Sequence, residues 1–266
     1  MPLELQRGGE SVFFPGKAAG GIGCLVVHGI TASPQEIYWL AEHLAKGGHT
    51  VFAPRHPGHA THPRDIKRMR WQDWYYGVLD GYHMLRRLCD QVVVVGFSMG
   101  GLLALHLAAE QALARLVVIA APLVLDSPTW LPFLARPFGL TLLTFDREAD
   151  PMHHRILAMQ RERGEPTTGR VAYYQHSAAG IVQLLRLGQA VSPLLGSIRS
   201  PTLLIYSEKD DAVPFRNMAL LQSKLTASAG VETLTLHESK HIITSDIEYE
   251  QVYSAVAQFV GKASQP

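Results

Sequence analysis

Cysteine is scarce. Cys24 and Cys89 are the only two in 266 residues, too few to staple a chain of this size, so a disulfide scaffold is excluded and both read as ordinary buried thiols. An excess of one charge is missing as well. Lys plus Arg (24) offset Asp plus Glu (23), for a formal net charge of +1, which leaves no electrostatic case for nucleic acid or an acidic membrane surface. No run approaches the ~20 apolar residues of a membrane span, so no stable membrane insertion is expected. The opening stretch MPLELQRGGESVFFPG lacks a basic region followed by an apolar core, the pattern of a signal peptide. A soluble, cytoplasmic protein is the expectation. Internal repeats and low-complexity tracts are absent too.

What is present is enough apolar residue, 47%, to bury the core of one large α/β domain. CLVVH (24–28), TVFAP (50–54), QVVVVGF (91–97), RLVVIAAP (115–122), PTLLIYS (201–207) and VETLTLH (231–237) read as strands. Most are continuously apolar, as parallel strands covered on both faces are. Helical patterns alternate with them. In SPQEIYWLAEHLAKGG, Ser33 and Glu36 have capping-box spacing, Pro34 suits the first turn and Gly47–Gly48 stops the helix. Trp71, Trp74, Tyr75, Val78, Leu79, Tyr82 and Leu85 form one apolar face, read as core. Ser245 and Glu248 repeat the capping spacing before a stripe of Tyr249, Val252, Tyr253, Val256, Phe259 and Val260. The alternation predicts a doubly wound, mostly parallel sheet with helices on both faces. Residues 123–198 break it. They show no clear strand and carry six prolines, so they read as a helical insertion over the C-terminal edge of a core formed by 1–122 and 199–266.

One serine stands out against this background. Gly96-Phe97-Ser98-Met99-Gly100 is a G-x-S-x-G motif between a predicted strand and a predicted helix, the context in which such a serine is held exposed as a nucleophile. Glycines flank it because a Cβ there would collide with neighbouring backbone. A serine needs a base, and on this fold the order runs nucleophile, acid, histidine. Past the insertion only His237 and His241 remain; His241, in the loop ESKHIITSD, is the better placed. For the acid, Asp210 in LLIYSEKDDAVP lies just past a buried strand, Asp211 reads as solvated or capping, and Asp126 is the runner-up one strand earlier. Two backbone donors must face the developing oxyanion. Met99 supplies one by position, and the loop HGITASP supplies the other at Ile30, with Gly29 permitting close approach. His28 reads as a buried brace without chemistry. His56, His59 and His62 recur every third residue, and His153–His154 sit in the insertion. A zinc site is conceivable there, but prolines break the register and no cysteine or carboxylate completes a ligand set.

VVHGITASPQEIYWLAEHLAKGGHTVFAPRHPGHATHPRD, GFSMGG, YSEKDDAVP and SKHIITSD, in that order, resemble the α/β-hydrolase superfamily. Within it they are most similar to the small carboxylesterases and monoacylglycerol lipases with a short helical cap. The resemblance implies an α/β-hydrolase fold, with a mostly parallel central sheet and a small cap over 123–198. It further implies Ser98 as nucleophile, Asp210 as acid, His241 as base, Ile30 and Met99 as oxyanion donors, and no cofactor or metal. The partner it implies is a small-molecule acyl ester, handled by a monomer or homodimer. The cap sequences LPFLARPFGLTLLTF and IVQLLRLGQAVSPLLG predict an apolar acyl pocket, with Trp130, Leu131, Phe133, Leu134, Phe138, Leu140, Leu142, Leu143 and Phe145 as its candidate residues.

Overall fold

The apolar runs become strands of one seven-stranded sheet, seen in a computed structural model that describes residues 4–16, 21–126, 141–144 and 146–264. Its strands are β1 (Val12–Phe14), β2 (Ile22–Val27), β3 (Thr50–Ala53), β4 (Gln91–Phe97), β5 (Arg115–Ile119), β8 (Thr202–Ser207) and β9 (Val231–Leu236), in the order β1-β3-β2-β4-β5-β8-β9. All pairs are parallel except β1 on β3, where Val12 lies opposite Ala53. Along β4, Val92 and Val94 join one core cluster while Val93, Val95 and Phe97 join the other. Both faces of the strand are therefore dry, which is why the run is apolar without alternation. On one face lie α1 (Tyr38–Lys46) and α7 (Tyr249–Gly261); on the other, α2 (Trp71–Leu88), α3 (Met99–Glu110) and, beside β8, α6 (Arg216–Lys224).

Between β5 and β8 the chain adds β6 (Thr141–Thr144), α4 (Pro151–Glu162), β7 (Gln175–Ser177) and α5 (Ala178–Val191). β6 and β7 form a separate antiparallel pair, so this segment is not strandless as its sequence suggests. Strands of three and four residues are too short to establish a period. The same holds for β1, which sequence reading leaves out. Of the predicted cap residues, Trp130, Leu131, Phe133, Leu134, Phe138, Leu140 and Phe145 lie outside the described residues, and the side chains of Leu142 and Leu143 do as well. Ala178–Ser197 is long and apolar enough, by length and composition, to cross a membrane, contrary to the sequence expectation; 44% of the window is buried inside the fold. Leu184, Leu187 and Val191 of α5 pack into the cluster that holds α2 and α3, which accounts for much of its apolar character.

Neither capping box forms. Pro34–Ile37 is a 3₁₀ turn, and the Ser33 hydroxyl donates to the Val171 carbonyl at 2.9 Å instead of capping it. Glu36 is buried and paired with Arg170. At the second site α7 begins only at Tyr249, and the Glu248 carboxylate reaches back over the loop before it. In both places the Ser-x-x-Glu spacing is right, but tertiary partners outcompete the local cap.

Candidate active site

Ser98 lies where β4 turns into α3, with φ 54° and ψ −120°. A non-glycine residue in that region stores on the order of 1–3 kcal/mol of strain, so the surroundings must impose it. They do so sterically. A Cβ on Gly96 would sit 2.2 Å from the Gly100 carbonyl oxygen, and one on Gly100 would sit 2.1 Å from the Val27 carbonyl oxygen. The Ser98 N–H donates to the Ile119 carbonyl at 2.8 Å, tying the turn to the neighbouring strand. α3 starts at Met99, so the first N–H groups of that helix have no partner within it and its positive end lies beside the hydroxyl.

Two loops beyond later strands complete the group. The Ser98 Oγ is 3.0 Å from His241 Nε2, and His241 Nδ1 is 2.8 Å from Asp210 Oδ2 and 3.1 Å from Oδ1. The Asp210 side chain has no solvent exposure. Its Oδ1 also accepts the N–H groups of Ala212 (2.9 Å) and Val213 (2.8 Å), which fixes the carboxylate plane. With Nδ1–H donated to this acid, Nε2 is free to accept the serine proton. The rival candidates go elsewhere. Asp126 is exposed and bound to Arg216, Asp211 is exposed 3.7 Å from Lys240, and exposed His237 pairs with Glu208 at 2.9 Å.

The His241 loop is held by a carboxylate that sequence reading assigned to a helix cap. Glu248 accepts the N–H groups of His237 (3.0 Å), Glu238 (3.0 Å) and Ser239 (2.8 Å), and the Ser239 hydroxyl at 2.7 Å. Burial works against its charge, yet these donors pull its pKa down to about 2. Asp246 Oδ2 accepts the Lys240 N–H at 2.7 Å, and the Ser207 hydroxyl donates to the Ser239 carbonyl.

On the opposite side, Gly29, Ile30 and Thr31 follow β2 and line the same cavity as Ser98 and His241. Thr31 has φ 63°, and its carbonyl accepts the Tyr173 N–H at 2.8 Å. Behind the loop, His28 packs against His56 and His59, with ring centroids 4.2 and 5.2 Å away. His28 Nδ1 donates to the Gly29 carbonyl at 2.8 Å, and its Nε2 accepts the His56 N–H at 3.2 Å. Burial, then the neighbouring histidines, pushes His28 well below its ordinary value; burial takes His56 down to about 3 and His59 to about 4. His62 stands apart and exposed. His153 accepts the Arg170 N–H at 3.1 Å. Among the described residues no group of three or more His, Cys, Asp or Glu side chains could hold a metal ion.

The cavity has a volume of about 820 Å³. Pro122, Leu125, Met152, Ile181, Leu184 and Ile242 line it with apolar surface. Glu36, Asp150, Arg170 and Tyr174 form a linked polar patch in it, with Arg170 3.1 Å from Glu36 and 3.4 Å from Asp150, and the Tyr174 hydroxyl 3.0 Å from Asp150. Sequence reading missed this patch. Its members are three isolated charges and a tyrosine with no common period, and Glu36 was absorbed into the capping pattern; a lone arginine in GEPTTGRVAYY was the one visible signal.

Residues 24–246 match the Alpha/beta hydrolase family. A thermostable monoacylglycerol lipase from Bacillus sp. (strain H-257) is 30% identical over 243 residues, spanning 91% of this chain and 92% of that protein. A carboxylesterase from Bacillus subtilis (strain 168) is 22% identical over 247 residues, spanning 90% and 92%. Among solved structures, one from the metagenome-derived lipolytic enzymes LipS and LipT superposes with a TM-score of 0.84 at 29% identity, covering 97% of this chain and 100% of that one. A monoacylglycerol lipase from Paleococcus ferrophilus gives 0.74 at 18% identity, covering 99% and 100%, and speaks to the fold alone.

Proposed function

The chain belongs to the alpha/beta hydrolase family, and from that premise we propose that it is a serine carboxylic ester hydrolase for short- to medium-chain acyl esters. The single observation that carries the reading is the run of contacts from Ser98 Oγ to His241 Nε2 (3.0 Å) and from His241 Nδ1 to Asp210 (2.8 Å), beside a cavity of about 820 Å³. In this reading Ser98 attacks the acyl carbonyl while His241 Nε2 takes the hydroxyl proton. Asp210 holds the Nδ1–H tautomer and stabilises the imidazolium, and the Met99 and Ile30 N–H groups hold the tetrahedral oxyanion. His241 then returns the proton to the leaving alkoxide. Water, deprotonated in turn by His241, releases the acyl group as a carboxylate. No metal or cofactor takes part. Residues 1–122 and 199–266 form the catalytic core, 123–198 the cap, and the setting is soluble and cytoplasmic.

A second reading, monoacylglycerol lipase, is supported by the patch of Glu36, Asp150, Arg170 and Tyr174. Its several donors and acceptors suit a hydroxylated alcohol, while Ile181 and Leu184 suit the acyl chain. Initial rates across p-nitrophenyl esters from acetate to palmitate, with monoacylglycerols, acyl thioesters and tributyrin alongside, test both. Each methylene buried contributes up to ~0.8 kcal/mol, so kcat/KM climbs to an optimum at medium chains and then falls, with weak turnover of triacylglycerols. Monoacylglycerols outrunning the matched p-nitrophenyl esters would select the second reading. Thioesters turned over while esters stay at background, or a jump in rate when tributyrin droplets form, would overturn the first.

A further inference from the structure

Arg170 and Glu36 form an ion pair on a wall of the cavity, Glu36 buried and Arg170 partly so, and the first reading above gives neither a task. Glu36 follows the loop that carries Gly29 and Ile30, and its side chain is 3% exposed. Its Oε2 and the Ser98 Oγ each lie 3.6 Å from the point that a Cβ on Gly29 would occupy. The two oxygens are thus within about 7 Å of each other, a range over which a full charge acts strongly in a dry site. A carboxylate there is an awkward neighbour for an oxyanion. Negative charge develops on the substrate oxygen in the transition state, and a bare Glu36 would oppose it.

Arg170 lies against that carboxylate, with Nη2 3.1 Å from Glu36 Oε1 and Nη1 3.4 Å from Asp150 Oδ2. The segment it begins is tied residue by residue to the same loop. Val171 donates its N–H to Gln35 Oε1 at 3.2 Å and accepts the Ser33 hydroxyl at 2.9 Å. The Tyr173 N–H donates at 2.8 Å to the carbonyl of Thr31, whose φ of 63° marks a conformation that must be imposed. The Tyr173 hydroxyl donates to the Gly58 carbonyl at 3.0 Å, next to the buried histidines.

We infer that Arg170 is a positioning residue for ester hydrolysis: it cancels the Glu36 charge behind the oxyanion loop and, with the strap 170–173, holds that loop in its catalytic shape. The inference rests on the assignment of Ser98 and of the Ile30 N–H made above. It makes residues 170–173 part of the transition-state machinery.

The test compares Arg170→Gln, Arg170→Lys and the double variant Glu36→Gln/Arg170→Gln. For each, kcat and KM are measured on one p-nitrophenyl ester, with the Ki of a trifluoromethyl ketone whose hemiketal carries the oxyanion. Loss of a direct oxyanion donor costs about 10²–10³ in kcat; an indirect contribution should cost Arg170→Gln about 10- to 100-fold in kcat, with KM within about threefold and the ketone weakened in parallel. Arg170→Lys, which keeps the charge, and the double variant, which removes both charges, should each recover to within about fivefold of wild type, as coupling between the two sites requires. A change confined to KM would make Arg170 a substrate contact and overturn the inference. A double variant no better than Arg170→Gln would reduce the pair to a structural one, with the same consequence. If Arg170→Gln does not fold, the double variant decides: folded with kcat within about fivefold supports the inference, and folded with kcat down more than about fiftyfold overturns it. Ser98→Ala run in parallel separates the levels. Turnover retained there sinks the underlying assignment, whereas turnover lost there but unchanged in Arg170→Gln sinks only the role of Arg170.

Discussion

The turn after β4 and the loop after β9 deliver Ser98 and His241 to one cavity, and they hold them by opposite means. Around Ser98 the constraint is volume: backbone of β2 and α3 fills the space where any Cβ at Gly96 or Gly100 would go. Around His241 it is hydrogen bonding. One carboxylate, Glu248, collects three backbone N–H groups and a hydroxyl, and Asp246 takes a fourth N–H. A steric constraint fails abruptly and cannot be relaxed. A polar clamp fails by degrees, because each lost hydrogen bond is worth about 1 kcal/mol and water can replace part of it. Ser98 is therefore held in a rigid seat, and His241 in an adjustable one.

The hardest blow to the rigid side is Gly100→Ala. A methyl 2.1 Å from the Val27 carbonyl can be admitted only by moving β2 or α3, so we expect about 3 kcal/mol or more of destabilisation and loss of turnover. Gly261→Ala, where an added Cβ meets nothing within 4 Å, is the matched control, expected to change the urea midpoint little.

Next in size is Asp210, the proposed acid. In Asp210→Asn the amide oxygen can still accept from Ala212 and Val213, but the NH₂ then faces His241 Nδ1 and forces the proton to Nε2. We expect a loss on the order of 10⁴ in kcat with the fold intact. Asp126→Asn breaks an exposed pair with Arg216 and should leave kcat within about twofold. The reverse ranking would put the acid on the earlier strand.

The adjustable side should give by less. Glu248→Gln keeps an acceptor but loses the charge that serves four donors, and we expect kcat to fall about tenfold with KM little changed. Acid sharpens the contrast. Glu248 is depressed to about 2, so its contribution is complete above its ordinary 4.5, shrinks as pH falls below that, and is gone below about 2. His28, His56 and His59 are buried and neutral, with His56 at about 3 and His59 at about 4 against an ordinary 6.5. Below pH 6.5 the unfolded chain binds protons that the folded chain refuses. Each of the three adds a slope of up to about 1.4 kcal/mol per pH unit down to its folded value. Urea midpoints should fall steeply between pH 6.5 and 4, and His59→Gln should flatten that slope by about one proton. An unchanged slope would mean that the cluster is not buried neutral.

The two kinds of constraint also explain what the sequence made legible. Strands covered on both faces leave continuous apolar runs, and a turn with no room for a Cβ leaves glycines, so the core strands and the Ser98 turn could be read directly. Asp210 and His241 could be placed only through the order the fold imposes. Glu248 and the Glu36–Arg170 pair left no such trace, since a hydrogen-bond clamp needs one residue at one point and produces no period. Ser33/Glu36 and Ser245/Glu248 show how this misleads: their spacing fits a helix cap, while Ser33 and Glu36 go to partners far away in the chain and Glu248 to the loop before its helix. β1, β6 and β7 were missed because three or four residues cannot declare an alternation, whereas β3, equally short, is bracketed by Gly47–Gly48 and Pro54.

The central claim is that Ser98 is an activated nucleophile, and labelling with a fluorophosphonate followed by mass spectrometry of the digested protein tests it most directly. The account predicts one adduct per chain, on the peptide containing Gly96-Phe97-Ser98-Met99-Gly100. The adduct should be absent in Ser98→Ala and strongly slowed in His241→Ala, with ester hydrolysis lost in step. An adduct on another residue, or ester turnover surviving in folded Ser98→Ala, would contradict it.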